Sequence, residues 1–115
     1  SVRNIREVPC LVEEMSQLIG GGIPITPQYV PAEQHFQLGT AAAENIGNKN
    51  GVILRNHGPV AVGRNPEEAV LMVEVIEKAC EIFLDQGQMF YAPIPQCYID
   101  SERYRYLYKY GNENT

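Results

Sequence analysis

"GVILRNHGPVAVG", Gly51 to Gly63, decides the architecture. Val52, Ile53 and Leu54 form a continuous apolar run, the pattern of a strand covered on both faces. Arg55, Asn56, His57 and Gly58 interrupt it, and an apolar stretch resumes after Pro59. This pattern predicts two short strands joined by a tight polar turn, with His57 in the turn.

Downstream, Asn65 is placed to cap a helix with Pro66 at its first position, and Glu67 and Glu68 lie against the positive end of the dipole. Ala69, Met72, Val73, Ile76, Cys80 and Phe83 then make one long apolar stripe, which "DQG" (Asp85 to Gly87) ends. The tail reads as a loop, "APIPQ", and a short helix, "SERYRYLYKYG", containing Tyr104, Tyr106, Tyr108 and Tyr110.

Upstream, "GNKN" (Gly47 to Asn50) is the turn after a helix spanning 32–46, with Phe36, Leu38, Ala42, Ala43 and Ile46 as its apolar contacts. "IPITPQYVP" (Ile23 to Pro31) holds three prolines, so it is an extended crossing segment or an edge strand. A first helix is expected over residues 5–19, with Pro9 in its first turn and Leu11, Val12, Met15, Leu18 and Ile19 as its stripe. Gly20-Gly21-Gly22 serves as its cap and turn; a phosphate cradle is the lesser alternative, because such loops put their glycines before a helix.

The result is one α/β layered unit over residues 1–115, divisible into 1–31, 32–64 and 65–115. Only two or three strands are visible, so any sheet is thin and a core of that size marginal. A net charge of -5 with scattered Lys and Arg argues against nucleic acid as a partner. No apolar run approaches the roughly 20 residues of a membrane helix, and no signal or transit sequence opens the chain. Three widely spaced cysteines, with no CxxC pair, point to a reducing cytoplasm.

From residue chemistry alone His57 has two readings. Neutral imidazole is the commonest metal ligand, but a catalytic zinc usually takes three protein ligands. The only other histidine, His35, has no spacing relation to it. A turn histidine bonded to backbone is therefore the default. The pairs Glu13-Glu14 and Glu67-Glu68 read as solvated helix faces before acid–base groups. Cys10 and Cys80 read as small hydrophobes within helices, and the tail tyrosines as packing residues.

"GGGIPITPQYVP", a helix, and then "GVILRNHGPVAVGRNPEEAVLMVEVIEKACEIFL" resemble the C-terminal half of the class II aldolase/adducin family. The resemblance covers nearly the whole chain. Its most specific part is the NHG turn, an apolar strand, a glycine and a capped helix with "EEA" near its start. The fold it implies is a layered α/β/α domain around a central, largely antiparallel sheet, of which this chain carries the C-terminal part.

The resemblance further implies that His57 is the third ligand of a divalent metal, most often Zn2+. The activity implied is aldol cleavage or epimerisation of a small phosphorylated sugar through an enediolate. The family's other two ligands form a His-x-His pair, which this sequence lacks. They are expected in a missing N-terminal half, with the catalytic glutamate and the phosphate-binding loops. A cytoplasmic homo-oligomer, tetrameric by family, is also implied. Some family aldolases place a proton-donating tyrosine where this chain has Cys10, while Tyr110 resembles a C-terminal tyrosine of the site. The adducin branch keeps the fold without the chemistry, so the resemblance also admits a non-catalytic interaction module.

Overall fold

The computed structural model describes residues 5–86 and 92–109. The hairpin forms as expected. β3 (Gly51–Leu54) pairs antiparallel with β4 (Gly58–Ala61), Val52 opposite Val60 and Leu54 opposite Gly58. The turn is closed by the His57 N–H donating to the Leu54 carbonyl at 2.9 Å. Asn56 and Gly58 both adopt positive φ, 66° and 136°. These are conformations that Asn tolerates and Gly adopts freely, which is why the polar knot has this composition.

The N-terminal segment departs from expectation. Residues 5–19 are not one helix: Glu7–Val8 form β1, which pairs antiparallel with β2 (Ile23–Pro24). Helical structure is confined to a short run ending in a π-helical turn, Met15–Ile19. The pairing with Ile23 and Pro24 holds the strand, and a local bias permits it. Val8 precedes Pro9, and the proline ring disfavours the α conformation in the residue before it. Cys10 therefore lies between β1 and the helical run, not in a helix. The stop is as read: Gly20 takes φ 103° and donates its N–H to the Met15 carbonyl.

The two antiparallel ribbons are linked where Ile25 bridges Ile53 in parallel and the Thr26 N–H donates to the Ile53 carbonyl at 2.9 Å. Against them pack α1 (His35–Ile46) and α2 (Pro66–Gln86), while α3 (Gln96–Tyr108) packs on the π-helical turn. The chain is thus a mixed α/β fold with antiparallel strand pairs. α1 starts at His35, three residues later than expected, and buries none of its residues; Phe36 is 83% exposed.

α2 is capped as predicted, by Asn65 Oδ1 accepting from the Glu68 N–H at 2.8 Å. Its buried face is Glu68, Met72, Val75, Ile76, Ala79 and Phe83. This is turned slightly from the expected stripe, so that Ala69, Val73 and Cys80 sit at the half-buried margin. Two neighbouring rows at 3.6-residue spacing differ by about 100°, and the packing partners choose between them. These are Met15, Leu18, Ile19 and Ile23, which join α2 and Ile99 of α3 in one core.

α3 begins at Gln96, earlier than the expected start, because Pro95 at its N-cap supplies an extended residue just before it. No helix among the described residues is long and apolar enough to cross a membrane.

Candidate functional site

His57 projects from the β3–β4 turn and is exposed. Its Nε2 lies 2.5 Å from the Val30 carbonyl, and its ring stacks on Tyr29 with centroids 5.3 Å apart and planes at 13°. A carbonyl can only accept, so Nε2 carries the proton and Nδ1 is left for a further ligand. His57 is thus a turn histidine bonded to backbone through Nε2. Metal-binding histidines commonly make this kind of outer hydrogen bond to a carbonyl.

The turn is held in place by Arg55. Its backbone N–H donates to Thr26 Oγ1 (2.8 Å), its Nε to the Thr26 carbonyl (2.9 Å) and its terminal nitrogen to the Ile5 carbonyl (2.9 Å). Thr26 is 2% exposed. Sequence reading missed this brace, as it missed Tyr29 and Val30. The only signal was a buried-type position for a threonine between prolines, too weak to use alone.

No group of three His, Cys, Asp or Glu side chains able to hold a metal ion occurs among the described residues. His57 fits one ligand position, and the described residues do not by themselves complete a metal site. His35 opens α1, exposed and away from any such cluster. Tyr110 lies outside the described residues.

The other candidates resolve into structure. Glu13 and Glu67 are exposed, and Glu14 pairs with Lys78 at 3.2 Å. Cys10 is buried, and burial raises the thiol pKa of both Cys10 and Cys80, which keeps them protonated and poor nucleophiles. Gly20-Gly21-Gly22 line a cavity of ≈ 370 Å³ beside Lys49, whose Nζ donates to the Gly22 carbonyl at 3.0 Å.

Glu68 departs from a solvated helix face. It is 9% exposed and receives Arg64 Nε and a terminal Arg64 nitrogen at 3.0 and 2.8 Å, with the Tyr106 hydroxyl donating to the same carboxylate. Arg64 also lies over the Tyr106 ring at 4.9 Å. Arg103, from the same helix as Tyr106, donates to the Gln17 carbonyl at 2.7 Å and to the Asn50 side chain. It thereby satisfies a carbonyl left open at the end of the π-turn. The network staples α3 to α2 and the π-turn.

Hydrogen bonds from Arg64 foremost, and from Tyr106, hold the Glu68 pKa at about 2 against an ordinary 4.5. Its folded pKa is depressed, so its contribution is full above about pH 4.5 and is lost as pH falls toward 2. Glu68→Gln is expected to cost roughly 1–2 kcal/mol at neutral pH, a figure discounted for the half-exposed Arg64. Urea unfolding of both proteins should show the difference shrinking between pH 4.5 and 2. A difference that persists unchanged at the acid end contradicts the assignment.

Three comparisons bear on what this arrangement belongs to. The family model described as Class II Aldolase and Adducin N-terminal domain matches residues 1–84. No curated protein sequence matches the chain. The structure superposes on L-fuculose 1-phosphate aldolase with a TM-score of 0.81 at 18% identity, covering 93% of this chain and 50% of that one. It also superposes on YgbL of Escherichia coli, a candidate aldolase/epimerase/decarboxylase, with a TM-score of 0.64 at 23% identity, over 86% of this chain and 45% of that one. The likeness is one of fold, and the chain spans about half the length of either structure.

Proposed function

The chain belongs to the class II aldolase and adducin family, and on that premise we propose that it is part of a metal-dependent enzyme acting on a small phosphorylated sugar. The reaction class is aldol cleavage or epimerisation. The observation that carries the reading is the His57 ring, bonded through Nε2 to the Val30 carbonyl with Nδ1 left over. In this reading His57 is one ligand of a divalent ion, Zn2+. When bound, such an ion supplies a Lewis acid for negative charge developing on a sugar oxygen.

The chain's own contribution is placement. Arg55 and Thr26 hold the turn against the crossing segment, and the backbone carbonyl at Val30 keeps the ring proton on Nε2. Tyr110, in the tail, is assigned a supporting role in the site. The remaining ligands, the catalytic carboxylate and the phosphate-binding loops come from polypeptide beyond these residues, an N-terminal half of the domain. An apolar groove supports that reading: a hollow of ≈ 290 Å³ and an adjoining one of ≈ 530 Å³ share Ile53, Cys80 and Leu84. These are surfaces that a further part of the same fold would cover. The working protein is a cytoplasmic homo-oligomer.

The test is phosphorus NMR of the complete protein with a panel of ketose and pentulose phosphates. Substrate loss or epimer formation is expected, abolished by a chelator and restored by Zn2+. A metal-loaded protein that turns over none of the panel sinks the enzymatic reading and favours a non-catalytic interaction module.

A further inference from the structure

α3 is joined to the rest of the domain along one stripe. Ile99, Arg103 and Tyr106 recur at i, i+4 and i+7, with Glu102 beside them, and these residues make its contacts. Ile99 is the single buried residue of the helix. Tyr98, Tyr104 and Tyr108 are exposed.

The rest of the attachment is polar. The Gln17 side-chain amide donates to Glu102 Oε1 at 2.8 Å. Arg103 donates to the Gln17 and Leu18 carbonyls at 2.7 and 3.2 Å and to the Asn50 side chain, and the Tyr106 hydroxyl donates to Glu68. Just before the helix, the Ile94 N–H donates to the Cys10 carbonyl at 2.9 Å. Gln17, Glu102, Arg103 and Tyr106 are only half-buried. Hydrogen bonds between such groups exchange for bonds to water with a small net loss, whereas nothing in water replaces the burial of an apolar face. α2, by contrast, buries Met72, Val75, Ile76, Ala79 and Phe83. Undocking α3 therefore takes less free energy than unfolding α2, and local openings follow such differences.

The same segment closes the cavity of ≈ 370 Å³. Ile94, Gln96 and Ile99 line it together with Cys10, Gly21 and Lys49. Cys10 is 3% exposed. We propose that α3 is a latch, a helix that releases as a unit while the hairpin and α2 stay folded, and that its release opens this cavity and uncovers the Cys10 thiol. The latch does not depend on any role of His57.

The experiment uses the complete protein under native conditions. Hydrogen exchange read by mass spectrometry is expected to show α3 amides at least about 100-fold less protected than those of α2. N-ethylmaleimide labelling, mapped to the peptide that contains Cys10, is expected to change little with urea below the unfolding transition, because a local opening exposes little surface. Arg103→Ala, which removes charge-assisted hydrogen bonds, is expected to speed that labelling about tenfold or more, and Tyr106→Phe about fivefold. Ile76→Val, which weakens the core and makes none of the α3 hydrogen bonds, is expected to lower α2 protection about 3–10-fold and to leave Cys10 labelling within about twofold.

α3 amides as strongly protected as those of α2 overturn the latch, and so does Cys10 labelling that rises with urea as steeply as global unfolding. Unchanged Cys10 labelling in both Arg103→Ala and Tyr106→Phe overturns the link between the latch and the cavity. The comparison of α3 with α2 in the wild type needs no variant, so it decides the latch even where Arg103→Ala fails to fold.

Discussion

Replacing His57 with alanine is expected to strip metal from the complete protein while leaving its unfolding midpoint nearly unchanged. Loss of an outer hydrogen bond to a metal-binding histidine typically costs 10–100-fold in affinity, so loss of the ligand itself should exceed about 100-fold. The stability cost should stay near 0.5 kcal/mol, because the side chain is exposed and its contacts are one hydrogen bond and one ring stack. Metal content by mass spectrometry, set beside a urea titration, separates the two effects. A variant that retains stoichiometric zinc contradicts the ligand role; one that loses zinc only by unfolding leaves His57 a structural residue.

Ile76→Ala is expected to lower stability by about 2–5 kcal/mol, the usual cost of truncating a buried isoleucine. Ile76 is 1% exposed and lies where α2 crosses β3. Its Cδ1 would come within 2.7 Å of a Cβ placed on Gly51. The strand thus reaches the helix through the absence of a side chain at Gly51, and the isoleucine fills that gap. Removing it opens a cavity under the hairpin that carries His57. In a domain whose total stability is on the order of 5–15 kcal/mol, a loss of this size should move the urea midpoint conspicuously. Val70→Ala, on the exposed side of the same helix, should change stability by less than about 0.5 kcal/mol. Equal effects at the two positions would mean that α2 is docked differently.

Elements written by neighbouring residues were legible. The β3–β4 hairpin follows from an apolar run, a knot of Asn and Gly tolerant of positive φ, and a second apolar run. The α2 start follows from Asn65, Pro66 and two glutamates, and the stop at Gly20 follows from a residue that takes the left-handed conformation freely. Each of these depends on a window of a few residues.

What was not legible depends on distant partners. The stripe from Leu11 to Ile19 has helical spacing, yet Glu7 and Val8 pair with Pro24 and Ile23. Glu68 had every local mark of a solvated first-turn acid. It is buried because Tyr106 and Arg64 reach it, one of them from another helix. The brace from Arg55 to Thr26 and Ile5 leaves no periodic trace in the sequence at all.

By itself, then, the sequence determined the hairpin, the capped long helix and the presence of a histidine at the turn, because backbone sterics and capping act over a few bonds. It also carried the family, in the NHG turn and the capped "NPEEAV" helix. Only the tertiary structure decided which nitrogen of His57 is spent and which face of α2 is inside, together with the pairing of Glu7–Val8 as a strand. Hydrogen bonds and packing across the chain choose among local conformations of nearly equal energy. That choice is made by partners such as Val30, Tyr106 and Ile23, which no local window contains.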